Sequence, residues 1–316
     1  MATRYSLVIP VYRSEEMIPD LLRAVGQLHA GLSGALEVVF VVDGSPDHSL
    51  QALLDALPAA GLTAQVLEMS RNFGAFAAIR AGLVAARGPY FAVMAADLQE
   101  PPELVREFYQ RLEADACDVA CGVREGRDDG LRTRAMSALF WALYRGLVQP
   151  DMPRGGIDVF GCNQRARDQL VALNEAHSSL VGQLIWIGMR RAEVPYRRQA
   201  RRQGSSGWTL RKKVSYMLDS CLSFSDLPIR LLFAVGCLAL VVALGYSVVV
   251  LVARLTGLIA EPGYATTVLL IAGFGALNAL GLAVVGAYAW RAFENTKSRP
   301  LSIVQRRFSF GEEPAP

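Results

Sequence analysis

Two hydrophobic patterns alternate along the first 123 residues. Nearly continuous apolar runs such as YSLVIPVY and EVVFVV are followed by stretches whose apolar residues recur at helical spacing, as Ile18, Leu21 and Val25 do. Continuous apolar runs are typical of strands buried on both faces, and the helical spacing is typical of helices packed on a sheet. The alternation predicts an α/β fold with a mainly parallel sheet and helices on both faces.

The same patterns predict the remaining elements of the polar part of the chain. Strands are expected at AQVLEM, YFAVMA and DVACGV, with helices at about 46–57, 75–86 and 101–114. Beyond Val123 the pattern predicts helices at 131–148, 165–173 and 179–188 and short strands near 157–161 and 192–196. Because parallel sheets bind ligands at the carboxyl ends of their strands, the loops that follow the strands are the places to look for chemistry.

Two long stretches, 231–253 and 264–290, contain no charged residue. They explain why only 19% of the chain is charged, against about 25% in an ordinary soluble domain. Each exceeds the roughly 20 residues that span a bilayer as a helix. The alternative, a pair of buried core helices, is less favoured because core helices are usually shorter. A short link makes the two stretches an expected antiparallel hairpin.

Basic residues predict how this hairpin is oriented. Nine lie between Arg190 and Lys213 and five follow Trp290, whereas the link holds only Arg254. Basic residues accumulate on the cytoplasmic side, so we expect a multi-pass protein of the cell inner membrane with both termini cytoplasmic. The first residues, MATRYSLVIPVY, lack the pattern of a signal peptide. The net charge is only +3 and the basic residues lie beside the membrane, which favours anionic lipid headgroups over nucleic acid as a partner. The five cysteines show no metal-ligand spacing, so no structural zinc is expected.

Polar residues follow the second and fourth strands. Asp43 ends the second strand in VVDGSPD, where its carboxylate could accept hydrogen bonds from a nucleobase or a ribose, or where DGS could simply form a turn. Asp97 and Gln99 follow the fourth strand in MAADLQEPPEL and offer hard oxygen ligands for Mg²⁺ or Mn²⁺ shared with a diphosphate. Asp97 could alternatively cap a helix.

The loops become more informative when they are taken together. A base-binding Asp and an Asp-x-Gln loop two strands later are what an enzyme acting on nucleotide sugars needs. Between these loops, Arg71 and Asn72 provide polar side chains that can reach a ligand. Gly74 permits a ligand to approach the backbone closely at the start of a helix. Neither GxxxxGK[ST] nor GxGxxG after the first strand is present, which weakens kinase-like and NAD-dependent alternatives.

The chain contains, in this order, the segments VIPVYRSEE, VVDGSPD, SRNFGAFAAIRAGL, ADLQEPPEL and GGID. Together with the two C-terminal apolar stretches, these segments resemble the family 2 glycosyltransferases of GT-A fold. The resemblance is closest to the polyprenyl-phosphate glycosyltransferase branch, which includes dolichol-phosphate mannose synthase and bacterial undecaprenyl-phosphate sugar transferases. It implies a Rossmann-like GT-A domain and sugar transfer, with inversion, from a nucleotide-sugar donor to a membrane polyprenyl phosphate.

The resemblance also implies site residues and domain limits. It implies nucleotide-sugar contacts for Pro10, Tyr12, Glu15 and Asp43, with Arg71 and Asp97 beside them. It implies that Asp97 and Gln99 form the metal site. On the acceptor side of the cleft, it implies roles for Asp158, Arg198, Arg201 and Ser206. Arg124 and Arg132, in a basic segment after the last strand, are either acceptor-loop residues or a solvated charge run. We expect a cytoplasmic GT-A domain at 1–208, an amphipathic juxtamembrane segment at 209–228, transmembrane helices at 229–254 and 264–290, and a cytoplasmic tail at 291–316.

Three positions depart from the family pattern. Val42 and Ala95 stand where relatives usually have carboxylates, and Gly207 stands where a lysine is common. We interpret these as donor or subgroup differences; the alternative is a catalytically inactive relative that binds nucleotide sugars as a membrane scaffold.

The nature of the acceptor decides what Asp158 must do. A lipid phosphate is already ionised and needs no general base, so Asp158 would then orient sugar or acceptor. A hydroxyl of a lipid-linked saccharide would need a base, and Asp158 is the leading candidate. A transport subunit is disfavoured, because neither apolar stretch contains an ionisable residue. Small residues in the second stretch predict a homo-oligomer.

Overall fold

A computed structural model describes residues 3–125, 142, 144–146, 148–153, 156–175, 178–199, 220–225, 227–256 and 263–311. Most of the helix expected at 131–148 lies outside these residues, as do Arg132, Arg201, Ser206 and Gly207.

The described residues form one mixed sheet of eight strands. The strands are β1 (Tyr5–Val11), β2 (Leu36–Val42), β3 (Thr63–Met69), β4 (Tyr90–Val93), β5 (Val119–Arg124), β6 (Val159–Asn163), β7 (Arg191–Tyr196) and β8 (Val304–Phe310). Their order across the sheet is β7-β5-β6-β4-β1-β2-β3-β8. Strands β4, β1, β2 and β3 are parallel neighbours, which confirms the expected parallel core.

The α-helices of the described residues lie between and after these strands. They include α1 (Ile18–Gly31), α2 (Ser49–Ala60), α3 (Ala75–Ala85), α4 (Pro102–Glu113), α5 (Gln164–Ala172), α6 (Leu180–Trp186), α7 (Leu227–Leu255) and α8 (Tyr264–Thr296). Helix α2 begins three residues later than the sequence pattern suggested, because Asp47 accepts hydrogen bonds from the N–H and the hydroxyl of Ser49 and holds the preceding residues in a turn.

Both faces of the parallel core are buried, as its continuous apolar strands predict. Successive side chains of a strand point to opposite faces. Leu7 and Phe40 therefore belong to the cluster that α1, α2 and α4 cover, whereas Val8 and Val39 belong to the cluster that α3 and α5 cover. All four side chains are completely buried.

Strand β6 reverses the direction of the sheet at one position. It lies between β4 and β5 and is antiparallel to both. Its first residue therefore sits at the edge where β4 and β5 end, so that Asp158, one residue earlier, reaches the carboxyl edge of the sheet. The edge strand β7 is parallel to β5 and pairs Tyr196 with Arg124.

The C-terminal segment contains a strand that the sequence patterns did not predict. Strand β8 pairs antiparallel with β3 and covers its free edge. Arg306 pairs with Glu68, and the Arg307 guanidinium donates to the Gln65 side-chain oxygen at 2.9 Å. The chain thus returns to the sheet after its two apolar helices.

Helices α7 and α8 are long and apolar enough to cross a membrane. By length and composition, the candidate spans are Leu227–Tyr246 and Gly273–Thr296, and neither is buried inside the protein. At 29 and 33 residues the helices measure about 44 and about 50 Å, longer than a hydrocarbon core of about 30 Å. Residues 220–224, in the expected juxtamembrane segment, are helical.

Candidate active site

The sheet brings most of the predicted site residues to one edge. Tyr12, Asp43 and Arg71 follow the ends of β1, β2 and β3, and Asp97 follows the end of β4. Arg124 ends β5, Asp158 precedes the antiparallel β6, and Arg198 follows β7. These residues therefore share the carboxyl edge, which is the usual ligand-binding edge of such sheets.

Asp43 organises the loop that follows β3. Only 3% of the residue is exposed, and its two carboxylate oxygens accept the N–H groups of Phe73 and Gly74 at 2.7 and 2.8 Å. The Asn72 amide donates to the Asp43 carbonyl at 3.1 Å. Bonds from N–H groups to a carboxylate are among the strong hydrogen bonds of proteins. Asp43 thus fixes the start of α3, and direct contact with a nucleoside stays a prediction.

Gly44 allows these two loops to touch. Its φ is +55°, a region that disfavours side chains, and a Cβ built on it would lie 2.3 Å from the backbone carbon of Arg71 and the nitrogen of Asn72. The glycine of DGS is therefore required by close packing as well as by turn geometry.

Glu15 and Asp47 clamp the loops after β1 and β2 together. The N–H of His48 donates to Glu15 Oε2 at 3.0 Å, and the N–H of Glu15 donates to Asp47 Oδ2 at 3.2 Å. Burial alone would raise the pKa of Asp47, but hydrogen bonds from Ser45, Ser49 and the Glu15 N–H outweigh it and lower that pKa. Glu15 thus helps to hold the two loops together, and its contact with the nucleotide stays a prediction.

The other predicted nucleotide contacts at the ends of these strands are Pro10, Tyr12 and Arg71. Pro10 lies inside β1 and is partly buried, whereas Tyr12 is 44% exposed. The Arg71 guanidinium carbon lies 4.1 Å from the centre of the Phe73 ring, and the guanidinium donates to the Asn72 carbonyl at 3.3 Å. Tyr12 and Arg71 can therefore reach a ligand at this edge.

A cluster of Arg124, Asp158 and Tyr196 joins the ends of three strands. Arg124 pairs with Asp158 through its Nε and donates from Nη2 to Oδ1 at 2.7 Å, while the Tyr196 hydroxyl donates to Oδ2 at 2.9 Å. Burial alone would lower the pKa of Arg124, but Asp158 raises it, so the guanidinium stays charged. Both oxygens of Asp158 are engaged.

The loop after β4 places Asp97 and Gln99 on a tight turn. Leu98, between them, has a φ of +52°, and the Gln99 N–H donates to Asp97 Oδ1 at 3.3 Å. Gln99 is 8% exposed, and its amide oxygen accepts from the Arg198 guanidinium. The predicted metal ligand Gln99 is therefore bound by the predicted phosphate ligand Arg198.

Glu100 is a buried carboxyl group of this edge that the sequence patterns did not single out. It is 3% exposed, and its Oε2 has no hydrogen-bond partner. Burial raises the pKa of Glu100 to about 7; Asp97 and Asp158 add to the rise, while Arg198 and Arg124 oppose it. Its position beside Gln99 in ADLQEPPEL was the available signal. Tyr196 was missed too, although its place at the end of a strand pointed to this edge.

The donor set suits a divalent ion that is shared with a ligand. Asp97 supplies a carboxylate oxygen, which Mg²⁺ and Mn²⁺ accept, and such ions are commonly held by one or two carboxylates together with substrate phosphates. Within the described residues, no group of three or more His, Cys, Asp or Glu side chains is arranged to hold a metal. The residues present fit an ion held jointly by Asp97 and a diphosphate.

Comparison with known proteins identifies the family. Residues 6–171, more than half of the chain, match the profile of Glycosyl transferase family 2. A prophage bactoprenol glucosyl transferase homolog of Escherichia coli is 28% identical over 304 residues, which are 96% of this chain and 99% of that protein. An undecaprenyl-phosphate 4-deoxy-4-formamido-L-arabinose transferase of Klebsiella pneumoniae is 28% identical over 311 residues, which are 96% and 93%.

A solved structure confirms the fold. Glucosyl-3-phosphoglycerate synthase of Mycobacterium tuberculosis, crystallised with Mn²⁺, UDP-glucose and phosphoglyceric acid, superimposes with a TM-score of 0.52 at 17% identity. The match covers 70% of this chain and 78% of that one. The α/β architecture is thus the GT-A fold that the sequence motifs implied.

Proposed function

Because this chain belongs to glycosyltransferase family 2, we propose that it transfers a sugar from a nucleotide-sugar donor to a membrane polyprenyl phosphate. Two relatives named for bactoprenol and undecaprenyl phosphate support this acceptor, since each aligns with 96% of the chain, the apolar helices included. The chain is a glycosyltransferase in either case; the acceptor is the proposed part.

The engagement of Asp158 favours a phosphate over a hydroxyl acceptor. Arg124 and Tyr196 together direct three hydrogen bonds at its two oxygens. A general base must accept the proton that it removes, and three of the roughly four lone-pair sites of this carboxylate already accept hydrogen bonds. A lipid phosphate is ionised at neutral pH and loses no proton on attack. Asp158 is then a residue that fixes the Arg124 guanidinium, and this observation carries the proposal.

The proposed reaction is a single in-line displacement. An oxygen of the lipid phosphate forms a bond to the anomeric carbon of the sugar, while the bond from that carbon to the donor's diphosphate breaks. The electron pair leaves with the nucleoside diphosphate, and the configuration at the carbon inverts. Positioning of the two phosphate-bearing reactants is the chief task of the protein.

On the donor side, the loops after β1 to β4 bind the nucleotide. Asp43 holds the Arg71–Gly74 loop in place for the nucleoside, and Tyr12 and Arg71 face the ligand. A divalent ion at Asp97, Mg²⁺ or Mn²⁺, would stabilise negative charge that develops on the diphosphate. Mn²⁺ is the better first choice in assays because the structurally similar synthase was crystallised with it.

On the acceptor side, Arg124 and Arg198 supply positive charge at the ends of β5 and β7. Arg132, Arg201 and Ser206, which lie outside the described residues, belong to the same proposed phosphate-binding set. A fixed guanidinium binds two phosphate oxygens at once, which suits recognition of a lipid phosphate monoester.

The pairing of β8 with β3 supports the proposed membrane topology. A chain that leaves the sheet before α7 and returns to it after α8 crosses a bilayer an even number of times. Both ends of the hairpin then lie on one side of the membrane, and the basic residues that flank the hairpin lead us to propose the cytoplasmic side of the inner membrane for them and for the catalytic domain. On α8, three glycines have open space around them, which supports self-association through this helix: Gly273, Gly275 and Gly286. A strictly monomeric mass in mild detergent would contradict self-association.

A transfer assay tests the proposal. Purified protein in detergent is incubated with Mn²⁺, polyprenyl phosphate and a panel of uridine and guanosine diphosphate sugars, and lipid-linked sugar is measured. We expect one donor to yield product and Asp97→Ala to reduce the rate at least about 100-fold, as the loss of a charge-stabilising group does. Glu103→Ala, an exposed carboxylate on α4, is the matched control. If no donor yields lipid-linked sugar, the proposed function is contradicted. If Asp97→Ala leaves the rate unchanged, the proposed role of Asp97 is contradicted.

A second arm separates the two acceptor types. Asp158→Asn removes the charge that pairs with Arg124 but would leave a reaction without a general base partly active. If a lipid-linked saccharide accepts sugar while polyprenyl phosphate does not, the hydroxyl acceptor is correct.

A further inference from the structure

Three hydrogen bonds tie the chain after β7 to the Asp97–Gln99 loop. The Arg198 guanidinium donates to Gln99 Oε1, the N–H of Gln199 donates to the Gln99 carbonyl at 2.9 Å, and Gln99 Nε2 reaches the Gln199 carbonyl at 3.4 Å. We name these contacts the 198–199 tether. They join residues about 100 positions apart in the chain.

The tether occupies the oxygen that a metal would need. An amide oxygen offers its lone pairs to a cation or to a guanidinium N–H, and a metal ion and a guanidinium repel each other at contact distance. Gln99 is 8% exposed, so its side chain has little room to turn away while the tether is closed. Binding of a cation by Gln99 therefore requires Arg198 to leave.

Glu100 offers the departing guanidinium a destination. Its carboxyl is 3% exposed, and Oε2 lacks a hydrogen-bond donor, which is an unfavourable state for a buried polar atom. Arg124 and Arg198 are the guanidinium groups that this edge holds within the described residues, and Arg198 already binds the side chain of Gln99, the residue before Glu100. Arg124 is already paired with Asp158 through two hydrogen bonds, so Arg198 is the better placed donor.

We propose that the 198–199 tether is a latch on the metal site, in which Arg198 holds Gln99 Oε1 until cation and diphosphate arrive and then transfers to Glu100. Glu100 is thus a positioning residue that acts through Arg198. The inference rests on the proposed function for a divalent ion at Asp97, and it takes from the sequence the expectation that Gln99 is a second ligand of that ion.

The test measures Mn²⁺ binding in the absence of nucleotide and acceptor. Free Mn²⁺ is followed by electron paramagnetic resonance during titration of the full chain in detergent. Arg198→Met removes the guanidinium and should tighten Mn²⁺ binding about ten-fold, which corresponds to about 1.4 kcal/mol. The same variant should leave UDP binding at saturating Mn²⁺ unchanged, measured by calorimetry, because the tether is already open once the cation is bound and Arg198 belongs to the proposed acceptor side. Arg197→Met, an equally exposed neighbour, is the control and should change neither.

Tighter Mn²⁺ binding without a change in UDP binding distinguishes a latch on the metal site from a direct ligand of the diphosphate. If Arg198→Met leaves Mn²⁺ affinity unchanged or weakens it, the latch is wrong. Arg198 is exposed, so the variant should fold, and its thermal unfolding midpoint verifies this. Should it not fold, Arg198→Gln gives the same comparison.

A double-mutant cycle tests the role of Glu100. Glu100→Gln should weaken Mn²⁺ binding in the natural background, because Arg198 loses its second partner. In the Arg198→Met background the same change should have less than about half that effect on the logarithm of the affinity, since coupled residues are not additive. Equal effects in both backgrounds would mean that Glu100 acts by its charge alone, which overturns its positioning role.

Failure of the latch and failure of the proposed function remain distinguishable. The Mn²⁺ titrations use neither sugar donor nor lipid, so the latch can hold while the transfer assay fails with every donor. Conversely, transfer to polyprenyl phosphate by the natural protein, together with an Mn²⁺ affinity that Arg198→Met leaves unchanged, keeps the function and removes the latch.

Discussion

Replacing Asp43 by asparagine separates a structural role from a nucleoside contact. The Asp43 carboxylate accepts two backbone N–H groups at 2.7 and 2.8 Å while only 3% of the residue is exposed. Asparagine keeps one acceptor oxygen but turns a donating amide toward the second N–H. One charge-assisted hydrogen bond is lost and one buried N–H is left unpaired.

The expected cost follows from those two contacts. A hydrogen bond to a charged group contributes about 1.5–3 kcal/mol, so Asp43→Asn should lower the free energy of unfolding by about 2–3 kcal/mol. For a domain of this size, about 1 kcal/mol shifts the unfolding midpoint by about 2–4 °C. We therefore expect a midpoint about 5–10 °C lower, together with weaker UDP binding, because the Arg71–Gly74 loop loses its support.

Thermal unfolding in detergent, followed by tryptophan fluorescence, measures the midpoint, and calorimetry measures UDP binding. Asp55→Asn is the control, since Asp55 is an exposed carboxylate on α2. The reasoning is refuted if Asp43→Asn unfolds at the same temperature as this control. If UDP binding is nevertheless lost, Asp43 contacts the nucleoside directly and its bonds to the loop contribute little.

Three further predictions concern stability. Hydrogen bonds from Arg190 lower the pKa of Asp118 to about 2, so its ionised form adds stability above its ordinary pKa of 3.8 that is lost as the pH falls toward 2. Arg190 is half exposed, so about 1–2 kcal/mol is expected after screening, and Asp118→Asn should remove this pH-dependent part of an acid unfolding curve. Gly44→Ala should cost about 3 kcal/mol or more in thermal unfolding, whereas Gly61→Ala, whose φ is +62° but which has open space around it, should cost only about 1–2 kcal/mol; equal costs would show that the close backbone contact is unimportant. Deleting residues 304–316 removes β8 and exposes the edge of β3, so we expect a lower midpoint and aggregation on size-exclusion chromatography; an unaltered elution profile and midpoint would contradict a stabilising role for β8.

The parallel core and the site residues Asp43 and Asp97 could be predicted from the sequence because both depend on local patterns. Apolar runs and helical spacing report burial within a few residues, and Asp43 and Asp97 stand at the ends of runs that could be recognised individually. The apolar helices were recognisable for the same reason. Their observed ends, Leu255 and Thr296, lie one and six residues beyond the expected limits.

The acceptor side of the site depended on strand order, which no local pattern encodes. Asp158 meets Arg124 because β6 enters the sheet antiparallel between β4 and β5, across 34 residues of sequence. Strand β8 reads locally as a polar tail, and it becomes a strand because β3, more than 230 residues earlier, has a free edge.

What the sequence determined by itself was the set of chemical groups: a carboxylate after each of two strands, arginines beside the apolar stretches and two long stretches without charge. Only the tertiary structure decided what those groups do to one another. Hydrogen bonds between distant segments engage both oxygens of Asp158 and attach Arg198 to Gln99, while Glu100 Oε2 is left without a donor. Each of these contacts depends on the distance and direction between atoms of different segments, which are set only when the sheet is assembled.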